Sequence, residues 1–122
     1  MTKIDEEFAS ITMEFLDDSQ EQFDECEKYM MSYEKDQDTG NLKELKRIIH
    51  TLKGEAHSVN LKKTGDLFHD FETVVETKQV SDASDFAHFV LKFVDMMRDY
   101  FRAISDGEDV DRIEKSFDTY LK

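Results

Sequence analysis

His50 lies in segment 49–56, the part of the chain whose residue types and spacing best suit chemistry. An imidazole nitrogen can act as a nucleophile and as a proton carrier near neutral pH. At about 100° per residue, a helix through this segment places His50 away from an apolar stripe. That stripe consists of Leu45, Ile49, Leu52, Ala56 and Val59. We therefore expect the stripe to face a core and the His50 side chain to face solvent.

The outer face of this predicted helix is rich in cations. The residues that share it with His50 are Lys43, Lys46, Arg47, Lys53, Gly54 and His57. A glycine inside a helix costs roughly 1 kcal/mol relative to alanine, so Gly54 needs a reason. The simplest reason is clearance, because no side chain at Gly54 would block a partner that approaches the His50 imidazole.

His69 and Glu72 follow His50 by 19 and 22 residues, on what should be the next helix. Glu72 lies between Phe68 and Val75 on the helical wheel, so it borders a buried stripe. A carboxylate in that position needs a partner, and His50 across the helix interface would supply one. A carboxylate that accepts from Nδ1–H fixes the imidazole tautomer and leaves Nε2 free to attack. His69 is expected further out, toward solvent.

The sequence of residues 50–56, His-Thr-Leu-Lys-Gly-Glu-Ala, resembles the His-x-x-Lys-Gly signature of histidine-containing phosphotransfer (HPt) domains. With His69 and Glu72, the chain is similar to the N-terminal phosphotransfer domain of CheA-type chemotaxis histidine kinases. In that family a Glu on the following helix hydrogen-bonds the phosphorylated His, with a Lys and a second His beside it. His50, Lys53, His69 and Glu72 match those four positions. The chain departs from the family at His57 and Asn60, where many members have small residues.

The resemblance implies that His50 accepts a phosphoryl group from a histidine kinase catalytic domain or a receiver aspartate. It would pass that group to the receiver aspartate of a response regulator. Lys53 would neutralise phosphoryl oxygens, because phosphoryl transfer is mostly positioning and charge compensation. The expected docking residues are Lys46, Arg47, Gly54 and His57. The partner would supply magnesium, and the chain shows no nucleotide-binding motif, so we expect a carrier without a cofactor of its own.

Three alternatives compete with parts of this interpretation. The chain could be an adaptor that binds a receiver or a kinase without being phosphorylated. It could be either a free-standing carrier or the phosphoacceptor domain of a larger kinase. His50, His69 and Glu72 could instead bind a metal, but di-metal bundles use paired Glu-x-x-His motifs, and this chain has one, in reversed order. We therefore expect no metal site.

Length and composition favour one helical domain over residues 1–122. The net charge of −13 argues against nucleic acid as a partner. The single Cys26 fits a reducing compartment. The chain lacks an apolar run long enough to span a membrane and a signal-peptide pattern, so a cytoplasmic monomer is expected.

Apolar periodicity predicts an all-α fold, an antiparallel up-down four-helix bundle with an additional short C-terminal helix. The predicted helices are residues 4–35, 42–59, 62–78, 81–105 and 110–121. The first helix carries Phe8 and Ile11 in its apolar stripe and is long enough to bend or break near Asp18. Asn41 and Glu44 form a predicted capping box. Asn60, Ser81 and the pair Asp106-Gly107 are the other predicted helix boundaries.

Overall fold

The computed structural model describes residues 6–78 and 82–122, and their regular structure is entirely helical. A short 3-10 helix, Glu6–Phe8, leads into the first of five α-helices. These helices are α1 Ala9–Asp36, α2 Gly40–Ser58, α3 Lys62–Lys78, α4 Ala83–Ser105 and α5 Asp111–Tyr120. Helix α1 packs against α2 and α4, α2 packs against α3, and α5 packs against α4. The predicted all-α bundle with a short C-terminal helix is confirmed.

The predicted helix boundaries hold best where the sequence offers clear signals. Helix α3 begins and ends where periodicity placed it. Helix α1 runs without interruption past Asp18, so the break considered there does not occur. The predicted start at Ile4 lies outside the described residues.

The capping box predicted at Asn41 and Glu44 is wrong. Helix α2 begins two residues earlier than predicted, at Gly40, and its N-cap residue Thr39 makes no side-chain capping bond. The Glu44 carboxylate instead accepts from the Arg47 guanidinium, at 3.0 Å. A cation on the next turn therefore competes successfully for the side chain that the capping box required.

At the other predicted helix boundaries, the observed backbone conformations or capping bonds are those expected at helix ends. Asn60 follows α2 with φ of 66°, and Gly107 follows α4 with φ of 72°, the left-handed region in which chains leave a helix. At the start of α4, Asp82 is the N-cap, and its carboxylate accepts two backbone N–H groups of the first turn. Asp82 therefore occupies the position predicted for Ser81, which lies outside the described residues.

The apolar stripe predicted on α2 is buried along its whole length. The apolar residues of α4 that recur every three or four positions are buried too: Phe86, Val90, Phe93, Met97, Phe101 and Ile104. Helix α1 differs at its N-terminal end, where Ile11 is 54% exposed and Phe8 is only half-buried. Thr12 is buried instead, because its hydroxyl donates to the carbonyl of Val59, at 3.0 Å, where α2 ends. The carbonyl of Val59 at the end of α2 thus finds a hydrogen-bond donor in Thr12, on the buried face that periodicity assigned to Ile11.

A buried polar chain ties α5 to the bundle. The Thr64 hydroxyl of α3 donates to the Tyr100 hydroxyl of α4, at 3.2 Å, and Tyr100 donates to the Glu114 carboxylate of α5, at 2.6 Å. Tyr100 and Glu114 are both buried, so these hydrogen bonds satisfy groups that would otherwise be costly to remove from water. In the described part of the chain, no helix is both long and apolar enough to cross a membrane.

Candidate functional site

Helix α2 presents His50 to solvent, with 71% of its side chain exposed. Its neighbour Ile49 belongs to the buried stripe, and a rotation of about 100° turns the next residue outward. Helix α3 returns alongside α2 after a short connection, so residues late in α3 lie beside the middle of α2. This pairing brings His50 Nδ1 to 3.2 Å from Glu72 Oε2. The contact that helical geometry predicted between these two residues is present.

Glu72 also binds Lys53, which lies one turn after His50 on α2. Lys53 Nζ donates to Glu72 Oε1 at 2.8 Å, so each carboxylate oxygen has its own partner. Burial on its own would raise the pKa of Glu72, but hydrogen bonds from Lys53 and His50, together with their charges, lower it below its usual value. Glu72 is therefore ionised at neutral pH and can only accept hydrogen bonds.

An ionised Glu72 fixes the protonation of the neutral His50 ring. Because the carboxylate can only accept, Nδ1 must carry the proton in the 3.2 Å contact. The lone pair of the neutral ring is then on Nε2, at the edge of the ring away from Glu72. The arrangement can therefore use Nε2 as a nucleophile and can stabilise positive charge that develops on the ring.

Gly54 leaves open space beside this imidazole. A Cβ atom built at Gly54 would meet no other atom within 4 Å. Packing inside the domain therefore does not require glycine at this position. Glycine lowers the stability of the helix here, and no contact within the domain compensates for the loss.

His69 lies on α3 one turn before Glu72, and its side chain is exposed. The His69 imidazole makes no hydrogen bond or ion pair with another described residue, although its backbone carbonyl accepts from the Thr73 hydroxyl. The structure brings together His50, Lys53 and Glu72 and does not connect His69 to them. A role of His69 in the chemistry stays a prediction.

The cations around His50 are largely paired with carboxylates. The acids come mostly from α3, where they form a row that the sequence analysis did not identify. The pairs are Lys46–Glu76 at 3.1 Å, Arg47–Glu44 at 3.0 Å and His57–Asp66 at 3.2 Å. The surface is therefore an α2–α3 charge ladder rather than a purely basic face. Glu72 and Glu76 are four residues apart and share a face of α3, which could have indicated this part of the row, whereas Asp66 is not at helical-repeat spacing from either.

Gly65 allows the last rung of this ladder to form. A Cβ atom at Gly65 would lie 2.4 Å from His57 Nε2, too close for any real contact. The His57 ring thus packs onto the backbone of α3 at the one place where α3 lacks a side chain, and there it reaches Asp66. Gly65 was not identified from the sequence, because its importance depends on which residue of α2 lies opposite.

Among residues 6–78 and 82–122, no three His, Cys, Asp or Glu side chains are grouped so that they could hold a metal ion. The family model described as Hpt domain matches residues 11–107 of the chain. The matched region contains α2, α3 and α4 and every site residue discussed above. No curated protein and no solved structure matches the chain.

Proposed function

The chain belongs to the Hpt domain family, which carries out histidine phosphotransfer in two-component signalling, and we propose that His50 is its phosphoacceptor. The observation that carries the proposal is the contact of His50 Nδ1 with an ionised carboxylate that also binds Lys53. Among the described histidines, His50 is the most exposed of those with an ion-pair partner, and its free nitrogen points away from Glu72.

In the proposed reaction, Nε2 of neutral His50 attacks the phosphorus of the donor. An N–P bond forms, the bond from phosphorus to the leaving oxygen breaks, and the leaving oxygen departs with its electron pair as ADP or as a receiver carboxylate. The proton on Nδ1 stays in the hydrogen bond to Glu72, and the carboxylate stabilises the charge of the phosphorylated ring. Lys53 binds the same carboxylate as His50, and in the proposed reaction its ammonium also neutralises the phosphoryl oxygens.

In the forward transfer, a receiver aspartate attacks the same phosphorus on the side opposite the imidazole. The N–P bond breaks and its electron pair returns to Nε2, so neutral His50 is restored with its Nδ1 proton in place. No step requires a proton to enter or leave the ring. Because the ring neither gains nor loses a proton, it can both accept and donate a phosphoryl group. The partners would contribute the magnesium and the remaining charge compensation.

The proposed partners are a histidine kinase catalytic domain and a response-regulator receiver domain in the cytoplasm. The spacing of His50, His69 and Glu72 favours the phosphotransfer domain of a CheA-type chemotaxis kinase over other Hpt domains. Lys46, Arg47, Gly54 and His57 remain the proposed docking residues. Because Lys46, Arg47 and His57 are paired with carboxylates, docking would exchange existing ion pairs for new ones rather than fill empty cation sites.

The proposal is tested by phosphorylation with a receiver charged by acetyl phosphate, or with a CheA-type kinase catalytic domain and ATP. Wild type should acquire an acid-labile, base-stable label, and His50→Gln should acquire none. The matched control is His88→Gln, which removes an exposed histidine from α4 and should label like wild type. Label on His50→Gln would assign the phosphate to another residue. Partner binding without label on any variant would favour the adaptor.

A further inference from the structure

An open groove lies between α4 and α5, neither of which contributes a residue to the His50 site. Its volume is about 630 Å³. Met96 and Tyr120 form its floor, and three cations stand around them: Lys92 from α4, with Arg112 and Lys115 from α5. The whole of α5 lies beyond residue 107, where the region matched by the family model ends, so the α5 side of this groove is outside that region.

Arg112 of the groove differs from the other three arginines of this acidic chain. Arg47, Arg98 and Arg102 each bind one or more carboxylates. In contrast, neither Arg112 nor the two groove lysines make an ion pair with any other described residue. In a chain with a net charge of −13, three exposed cations without such partners form a local region of opposite sign that would attract an anion.

The floor of the groove is apolar and rigid. Met96 and Tyr120 are half-buried, and the Tyr120 hydroxyl donates to the carbonyl of Phe89 at 2.7 Å. The Tyr120 ring also stacks on the Phe89 ring, with 4.9 Å between centroids. A partner that covers this floor therefore would not have to immobilise the tyrosine, which lowers the entropic cost of binding.

We propose that the α4–α5 groove docks an acidic peptide segment of a partner protein, in which Asp or Glu residues flank an apolar side chain. The apolar side chain would cover Met96 and Tyr120, and the carboxylates would pair with Lys92, Arg112 and Lys115. Protein–protein interfaces usually have an apolar centre and a polar rim and are enriched in Tyr, Met and Arg, which this groove contains. The groove is shallow and its polar side chains are exposed, whereas small-molecule sites enclose most of their ligand.

The test uses the whole chain and a fluorescein-labelled peptide in which Asp and Glu alternate with Leu and Phe. The reference peptide has Asn and Gln in place of the acids. We expect the acidic peptide to bind, with an affinity that falls as salt is added, and the reference peptide to bind at least about tenfold more weakly. Arg112→Glu/Lys115→Glu should weaken acidic-peptide binding by about tenfold or more.

The matched control is Lys28→Glu/Lys35→Glu, which reverses two exposed lysines on α1 and gives the chain the same net charge. We expect it to bind the acidic peptide within about twofold of wild type, because only the groove cations face the peptide. Met96→Ala tests the floor separately and should weaken binding by about threefold or more without changing the salt dependence. Circular dichroism checks that each variant is folded.

Equal loss of binding in the two double variants would overturn the proposal, since it would show attraction to overall charge alone. Binding of both peptides with equal affinity would overturn it as well. Phosphatidylserine vesicles and ADP are tested in the same way. If the acidic peptide does not bind, and either of these ligands binds wild type but not Arg112→Glu/Lys115→Glu, the groove would be assigned to that ligand instead. Phosphorylation of His50 is measured independently, so either proposal can fail without the other.

Discussion

Glu72 is the residue on which the other site groups depend. Its two oxygens bind the His50 ring and the Lys53 ammonium at the same time, at 3.2 and 2.8 Å. Only 26% of the Glu72 side chain is exposed, whereas 71% of the His50 side chain is exposed. A partly buried carboxylate thus holds a solvent-exposed imidazole in one tautomer. The reactive nitrogen stays accessible while its orientation is set from the interior side.

Glu72→Ala should slow phosphorylation of His50 while leaving the helical bundle intact. Without the carboxylate, the neutral ring no longer favours the Nδ1–H tautomer, and the charge on the phosphorylated ring loses its counter-charge. We expect the rate to fall by an order of magnitude or more. Label incorporation measures the rate, and ¹⁵N NMR of the ring nitrogens reports the tautomer.

The control for this prediction is Glu76→Ala, which removes the neighbouring carboxylate of α3 that pairs with Lys46. It should leave the His50 tautomer unchanged. An unaltered tautomer and rate in Glu72→Ala would contradict the role of the carboxylate. A comparable loss in both variants would point to the summed charge of α3 rather than to Glu72.

The lowered pKa of Glu72 predicts a specific dependence of stability on pH. Its value in the folded state lies below the ordinary 4.5, mainly because hydrogen bonds from Lys53 and His50 outweigh the effect of burial. The stability that Glu72 contributes is therefore fully present above pH 4.5 and is lost as the pH falls through the folded-state pKa.

Denaturant unfolding of wild type and Glu72→Gln, from neutral pH down to about pH 3, measures this contribution. Wild type should be the more stable protein at neutral pH, and the difference in free energy of unfolding should shrink below pH 4.5. A difference that stays constant over this range, or grows as the pH falls, would contradict the assignment of the charge.

At the scale of elements, the site depends on the packing of α2 against α3. Lys46, His50, Lys53 and His57 recur along one face of α2, and their acidic partners on α3 run in the opposite direction. The more exposed of these pairs, Lys46–Glu76 and His57–Asp66, each contribute little to stability, about 0–1 kcal/mol. The apolar stripe beneath them holds the helices together, and the ladder aligns the side chains above it.

Gly54→Ala should stabilise the folded domain and slow phosphoryl transfer. The new Cβ meets nothing inside the domain, so the gain should approach the helix-propensity difference of about 1 kcal/mol. The same methyl group would project beside His50, where a partner must approach. Denaturant unfolding and the rate of transfer from a charged receiver measure the two effects.

Gly65→Ala is the matched comparison, since its Cβ would collide with the His57 ring. In Gly65→Ala, the gain in stability from the higher helix propensity of alanine should be reduced by the cost of displacing the His57 ring from Asp66. This variant should therefore stabilise the domain less than Gly54→Ala. If Gly54→Ala left transfer unchanged, glycine at this position would not serve as clearance for a partner.

At the scale of the whole molecule, the bundle separates two surfaces of different chemistry. The α2–α3 side carries the charge ladder with His50, and the α4–α5 side carries the cationic groove. A continuous core of aromatic and aliphatic side chains lies between them, and the chain Thr64–Tyr100–Glu114 fixes α5 in place. Both surfaces are therefore supported by one rigid interior.

Cys26 should report on the opening of this interior. Its side chain is 0% exposed, and burial, reinforced by the nearby Glu25, raises the pKa of the thiol to about 12. The native protein should therefore react with Ellman's reagent only when the core opens, because the thiolate is the reactive form. Fast reaction under native conditions, or a rate that does not rise with denaturant, would contradict a tightly closed core.

The sequence by itself determined the helices, their apolar faces and the outward position of His50. These properties follow from local periodicity, since a residue's place on a helical wheel is set by its spacing from its neighbours. The proximity of His50 to Glu72 was also predictable, because a short connection places two consecutive helices side by side. For the same reason, the contact of His50 with Glu72 could be expected, whereas Lys53 and His69 were assigned from the resemblance to the family.

Only the tertiary structure decided which groups lie opposite one another. It paired the cations of α2 with carboxylates of α3, placed the His57 ring over Gly65, left His69 apart from His50 and assembled the α4–α5 groove. It also placed Thr12 rather than Ile11 in the core, where the Thr12 hydroxyl donates a hydrogen bond to the carbonyl of Val59. Such contacts depend on the rotation and separation of whole helices, which the packing of the entire core sets and no local pattern contains.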